Sequence, residues 1–183
     1  MQTTPIAAPK KKRVTFSQVL DSTPVKGILV GLAAGSALDA VSIALYNREK
    51  RTTWFAENTA RGWKHAYERG VSNLARAAGK PLSRKQEKSW GLKFHQVFGL
   101  LTGLQYVALR KRYPKVGMGM GLLFGATFFL FADELLMPLL RWTPGPRAFS
   151  WKVHARGAVS HVAYGVAAEA AARLIDRAAV AAV

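Results

Sequence analysis

The stretch GILVGLAAGSALDA, residues 27–40, decides the fold of this chain. It carries a glycine at every fourth position, Gly27, Gly31 and Gly35, and then Asp39 on the same row. Each interior glycine costs a helix in water about 1 kcal/mol relative to alanine, so this stretch makes a poor soluble helix. In a bilayer the same glycines let two helix backbones approach closely. A soluble protein whose core helices are apolar all round is the competing reading, and the glycines count against it.

Charge disappears from four windows of the chain. Residues 27–47 hold only Asp39, residues 94–109 and 116–132 hold no charge, and residues 153–172 hold Arg156 and Glu169. Each window approaches the ~20 residues that a helix needs to cross a hydrocarbon core. The expected fold is therefore an all-α membrane protein, a four-helix transmembrane bundle. Its spans fall at about 25–47, 91–109, 116–140 and 153–175, within a membrane domain over 25–175. A basic tail over 1–24 precedes it and a short tail over 176–183 follows. No signal peptide is expected, because the first apolar stretch starts late and no small-residue cleavage site follows it.

The glycines also suggest a duplication. Residues 117–125, GMGMGLLFG, place Gly117, Gly121 and Gly125 on a row that runs on to Asp133, and share G-x-x-x-G-L-x-x-G with residues 27–35. The second and fourth windows contain GLKFHQVFG (91–99) and GAVSHVAYG (157–165), which share G-x-x-x-H-x-x-aromatic-G. The expectation is two repeated helical hairpins that pack along glycine ridges, with Gly27, Gly31, Gly35, Gly99, Gly117, Gly121, Gly125 and Gly165 at the seams.

The polar residues inside the windows extend these rows. Asp39, His95, Asp133, Glu134, His161 and Glu169 are the candidate intramembrane polar cluster, since ionisable groups in a span face other helices. In antiparallel hairpins, Asp39, His95, Asp133 and His161 fall roughly 5 to 12 Å below one face, at 1.5 Å of rise per residue. Such groups serve either as hydrogen-bonding glue between helices or as a proton- or cation-binding site. The paired Glu-x-x-His motifs of a di-iron bundle are missing, so neither metal nor cofactor is expected.

The connector over 48–90 is too long for an unstructured loop. Trp63, Tyr67, Val71, Leu74 and Ala78 follow helical spacing among basic residues, and Gly79 and Pro81 supply a stop. An amphipathic interfacial helix is expected there, with Trp54, Trp63 and Tyr67 at the lipid surface. His65 and Glu68 on it read as a solvated polar face.

The chain has 183 residues, enough for one domain, with 27 Lys and Arg against 10 Asp and Glu and a net charge of +17. That balance attracts anionic headgroups or nucleic acid. A nucleic-acid-binding protein is the less expected class, because it requires the apolar windows to be soluble core. Lys10, Lys11, Lys12 and Arg13 in APKKKRVTF (8–16) read as a juxtamembrane cationic tail on anionic lipid. The patch and residues 110–115, RKRYPK, argue for a cytoplasmic N-terminus. The connector, with twelve Lys or Arg over residues 48–93, argues for the reverse. The absence of cysteine excludes disulfides and a thiolate nucleophile. No nucleophile triad or phosphate-binding loop stands out, so an enzyme is not expected.

From residue 116 to residue 175 the chain resembles the YagU-like family of bacterial inner-membrane proteins, a family of unknown function. The residues that carry this are the glycine-rich third window, the acid near its end, Pro138, Thr143-Pro144, and the histidine before an aromatic-glycine pair in SHVAYG (160–165). The resemblance implies a multi-pass protein of the bacterial inner membrane without an assigned enzymatic activity. The leading functional expectation is a structural or accessory membrane component, in a homo-oligomer or larger membrane complex. The alternative is an ion- or proton-linked pore or carrier that uses the Asp/His cluster.

Overall fold

The structure is a computed structural model, and it describes residues 15–182. The tail cations Lys10 to Arg13 lie outside the described residues. All regular elements among the described residues are helical: α1 (Phe16–Leu20), α2 (Thr23–Asn47), α3 (Arg51–Ala60), α4 (Ala66–Ala77), α5 (Arg84–Arg112), α6 (Leu122–Phe129), α7 (Met137–Leu139) and α8 (Trp151–Ala181). A π-helical segment, Leu130–Leu136, joins α6 to α7.

Local chemistry sets several of these boundaries. Pro24 sits in the first turn of α2, where its missing N–H costs nothing. Gly79, at φ +71°, closes α4, with its N–H donating to the Arg76 carbonyl. Ser83 and Gln86 then form a reciprocal capping box that starts α5, seven residues before the expected 91. α8 likewise overruns 153–175 at both ends.

Two expectations are corrected. The third window is not one helix over 116–140. Residues Pro114–Gly121 form tight 3-10 turns, and Gly119, Met120 and Gly121 all adopt positive φ, so the α-helix begins only at Leu122. Three glycines in five residues give this stretch too little helix propensity to continue the row. Farther on, Pro138 removes a donor from the ladder and its ring crowds the turn before it. The helix widens into the π segment at that point. The connector helix, in turn, does not start at Trp63. That residue lies in a turn at φ +58°, α4 begins at Ala66, and a separate helix, α3, carries Trp54.

The long helices alternate in direction. α2 packs against α5 on one side and α8 on the other, and α6 packs against α8. Glycines set the closest approaches. A Cβ on Gly31 would lie 2.9 Å from the Gly99 carbonyl oxygen, and Gly103 faces the Gly31 backbone. In the other hairpin Gly121 meets the Gly165 carbonyl, and Gly125 meets the carbonyl of His161. Gly27 packs on Leu104 and Gly117 on the Glu169 carboxylate, whereas Gly35 and Gly99 each face open space. Between α2 and α8 the small residues Val30, Ala34, Ala168 and Ala172 are buried. α5 and α6 are held farther apart by rings, Tyr106 against Phe124 and Phe98 against Phe128.

Two helical stretches, Thr23–Asn47 and Pro114–Leu139, are long and apolar enough to cross a membrane. Their apolar side chains stay largely outside the core. Leu32, Ile43, Leu123, Leu130 and Leu139 are all exposed, as are Leu92, Val97 and Leu101 on α5.

Candidate functional site

The wider gap between the hairpins is a cleft of about 760 Å³, lined by α2, α4, α5, α6, the π segment and α8. On α2 its lining runs from Gly31 to Ser42, a depth of about 16 Å at the helical rise.

One Asp/His pair from each hairpin lines this cleft. Asp39 Oδ1 and His95 Nε2 are 3.0 Å apart, and Asp133 Oδ2 and His161 Nδ1 are 3.8 Å apart. Asp133 stands twelve residues beyond Gly121 and eight beyond Gly125, and Asp39 stands eight beyond Gly31. His161 Nδ1 also lies 2.9 Å from the Gly157 carbonyl, which fixes the proton on that nitrogen. His95 donates through Nε2 when it is neutral, and its buried Nδ1 is then an acceptor without a partner. Asp133 sits inside the π segment, whose wider turns reorient the side chains that follow.

The wall between the two pairs is aromatic. The Tyr67 ring lies 4.8 Å from the His95 ring and 5.8 Å from Phe98, Phe98 lies 6.1 Å from Phe128, and Phe128 lies 5.6 Å from Tyr164. The Tyr164 hydroxyl donates to the Gly99 carbonyl at 3.0 Å. Tyr67, expected at a lipid surface, instead faces this cleft. Burial pushes its phenol well above the usual range, and Asp133 and Asp39 add to the shift, so it remains a neutral donor.

The arginines that line the cleft, Arg61 and Arg156, are paired. Arg156 binds Glu57 through two contacts of 2.6 and 2.7 Å and Glu49 at 3.3 Å, and Arg61 binds Glu57 at 2.9 Å. Glu87, at the head of α5, accepts from Lys64, Ser72 and Arg84. Burial would raise its carboxyl, but those three donors outweigh it and hold the group at about 2. Of the remaining lipid-surface candidates, Trp63 is exposed and packs edge-on against Trp54.

Two residues expected in the polar cluster lie elsewhere. Glu134 pairs with His154 at 2.6 Å, beside a small pocket under the turn around residue 144. Glu169 is 1% exposed and sits toward the opposite end of the bundle, where it accepts from Tyr106, Arg110 and Arg173. Arg110 continues to Asp176 at 2.9 Å, and Asp176 in turn pairs with Lys26. The signal for this network was a lone carboxylate in an apolar window, which demands a cation. Among the described residues, no three His, Asp or Glu side chains are grouped to hold a metal ion.

The family described as protein of unknown function (DUF1440) matches residues 66–170, more than half of the chain. The chain belongs to the DUF1440 family. The DUF1440 match opens at the first residue of α4 and ends one residue beyond Glu169, so it takes in Tyr67, His95, Asp133 and His161 and leaves Asp39 outside. No curated protein and no solved structure matches the chain.

Proposed function

We propose that this protein is a four-span protein of the bacterial inner membrane whose paired Asp/His side chains form an ion- or proton-binding site between two repeated hairpins. The observation that carries the reading is the cleft that both pairs line. Carboxylate–imidazole pairs used only as glue would be packed over, whereas the Asp39 and Asp133 side chains are 51% and 40% exposed.

The membrane assignment draws on the two long apolar stretches and on the apolar side chains that face outward along α2, α5 and α6. A soluble protein leaves few such residues contiguous at its surface. α5 and α8, at 29 and 31 residues, exceed the length needed to span and supply the other two crossings. The repeat is supported by equivalent seams, Gly31 on Gly99 and Gly121 on Gly165, and by an Asp/His pair in each hairpin. The YagU-like resemblance overlaps the DUF1440 match over residues 116–170 and points to the same membrane.

A structural or accessory role is the second reading, favoured by the glycine seams and the buried Glu169 network. Two measurements separate them. The protein pellets with membranes under the first and second readings alike, and recovery in the supernatant rejects both. Reconstituted vesicles show pH-dependent ion flux that Asp39→Asn and His161→Ala reduce under the first. Flux that is absent or indifferent to both substitutions leaves the structural role.

A further inference from the structure

We infer that the cleft is a binding site for a small organic ammonium ion, whose charge is met by Asp39 and Asp133 and whose carbon substituents lie on the ring wall of Tyr67, Phe98 and Phe128. This deepens the reading given above by naming a ligand class, and it rests on the same cleft.

Charge is the first argument. The chain as a whole is strongly basic, yet the uncommitted charge deep in the cleft is acidic. Arg156 and Arg61 are taken up by Glu57 and Glu49, and Glu68 is held by Arg84 at 2.7 Å. Among the described residues, Asp39 and Asp133 pair with imidazoles alone. Lys88 also lines the cleft, but it stands seven residues before His95 on α5, about 10 Å nearer the head of that helix. A cation is therefore favoured and an anion repelled at the depth of the two carboxylates.

The wall is the second argument. Tyr67, Phe98, Phe128 and Tyr164 form a continuous chain of rings beside those carboxylates. Ring faces attract cations, most strongly where water is scarce, and they also take up apolar substituents. A hydrated inorganic ion gains little from such a wall, and the donor grouping that a bound metal needs is missing among the described residues.

Space is the third. Gly35 and Gly99 line the cleft, and a Cβ added at either would meet nothing within 4 Å. A volume of about 760 Å³ lies within the range of small-molecule sites. His95 adds a directional element. Its Nε2 lies 3.0 Å from Asp39 Oδ1 and so orients that carboxylate in the cleft.

The test is calorimetric titration of the full chain in detergent with three probes that share one ring: benzylammonium, benzyl alcohol and benzoate. The expected result is benzylammonium affinity about tenfold or more above that of the other two. The Asp39→Asn/Asp133→Asn double variant is expected to lose at least about tenfold for benzylammonium alone, and Gly99→Leu, which fills the void, to lose binding of the cation. Helical circular dichroism and elution volume verify that each variant is folded. Comparable affinity for benzoate or benzyl alcohol overturns the inference, as does wild-type affinity in the folded double variant or no binding of benzylammonium to the folded parent chain. An ammonium can reach the cleft free or as the ethanolamine headgroup of a lipid. Titration in nanodiscs of phosphatidylglycerol with and without phosphatidylethanolamine distinguishes these sources, since competition by the headgroup weakens the probe only in the second. Ion flux from vesicles without ammonium binding removes this inference and leaves the broader reading in place.

Discussion

Asp39 and His95 meet across the first hairpin at 3.0 Å, from helices whose backbones touch eight residues earlier at Gly31. The glycine seam sets the distance at which a carboxylate on α2 reaches an imidazole on α5. Because the Asp39 side chain is half exposed, the pair contributes little to stability. Asp39→Asn is expected to lower unfolding free energy in detergent by less than ~1 kcal/mol while reducing vesicle ion flux severalfold. A large stability loss with unchanged flux would favour the structural role.

The seams and the cleft respond to glycine substitution in opposite ways. Gly121→Ala combines a left-handed backbone with a clash against the Gly165 carbonyl, and is expected to cost about 2 kcal/mol or more. Gly99→Ala places its methyl in open space within a helix and is expected to be neutral or stabilising by up to about 1 kcal/mol. Thermal unfolding of both variants in one detergent checks the contrast.

Met120 adopts φ +56° between two glycines that also have positive φ. A side chain in that region costs about 1 kcal/mol, so Met120→Gly is expected to raise stability by roughly that amount. A fall in the unfolding midpoint would mean that Met120 makes contacts outweighing its backbone strain.

At the far end, Glu169 is buried between Arg110 and Arg173. Glu169→Gln leaves Arg110 short of a counter-charge and is expected to cost about 3 kcal/mol. In a double-mutant cycle with Arg110→Met the two losses should fall well short of adding, because each removes the same contact.

Glu87 gives the pH dependence outside the apolar stretches. Its folded carboxyl lies near 2 against an ordinary value of 4.5. A depressed acid stabilises the fold above its unfolded value, so this contribution is present above about pH 4.5 and is lost as pH falls towards 2. Hydrogen exchange at the α4–α5 junction is expected to accelerate over that interval in the parent chain and much less in Glu87→Gln.

Much of the helical plan was legible because charge and hydropathy act locally. The ends of α2 and the stop at Gly79 follow from composition and cap chemistry that any chain of this sequence carries. The third window misled for a physical reason. Its glycine row has the spacing of a helix ridge, but alternate glycines at 117, 119 and 121 also permit left-handed turns, and periodicity does not choose between the two. Trp63 failed similarly, since helical spacing on one face does not reveal a turn at Gly62. The partners of Glu169 were illegible because Arg110 lies fifty-nine residues away in a run that reads as a basic connector.

By itself the sequence determined that this chain is helical, that its apolar stretches carry glycine rows, that His95 and His161 interrupt two of those rows at matching places, and that acids extend the others. These are consequences of residue type and spacing along one helix. Only the tertiary structure decided that Asp39 finds His95 and Asp133 finds His161 while Glu169 turns to Arg110, and that Tyr67 lines the cleft. Those outcomes depend on how far apart the backbones stand. Glycine lets α2 meet α5, and α6 meet α8, at van der Waals distance, whereas aromatic rings hold α5 away from α6 and leave the space between the hairpins open.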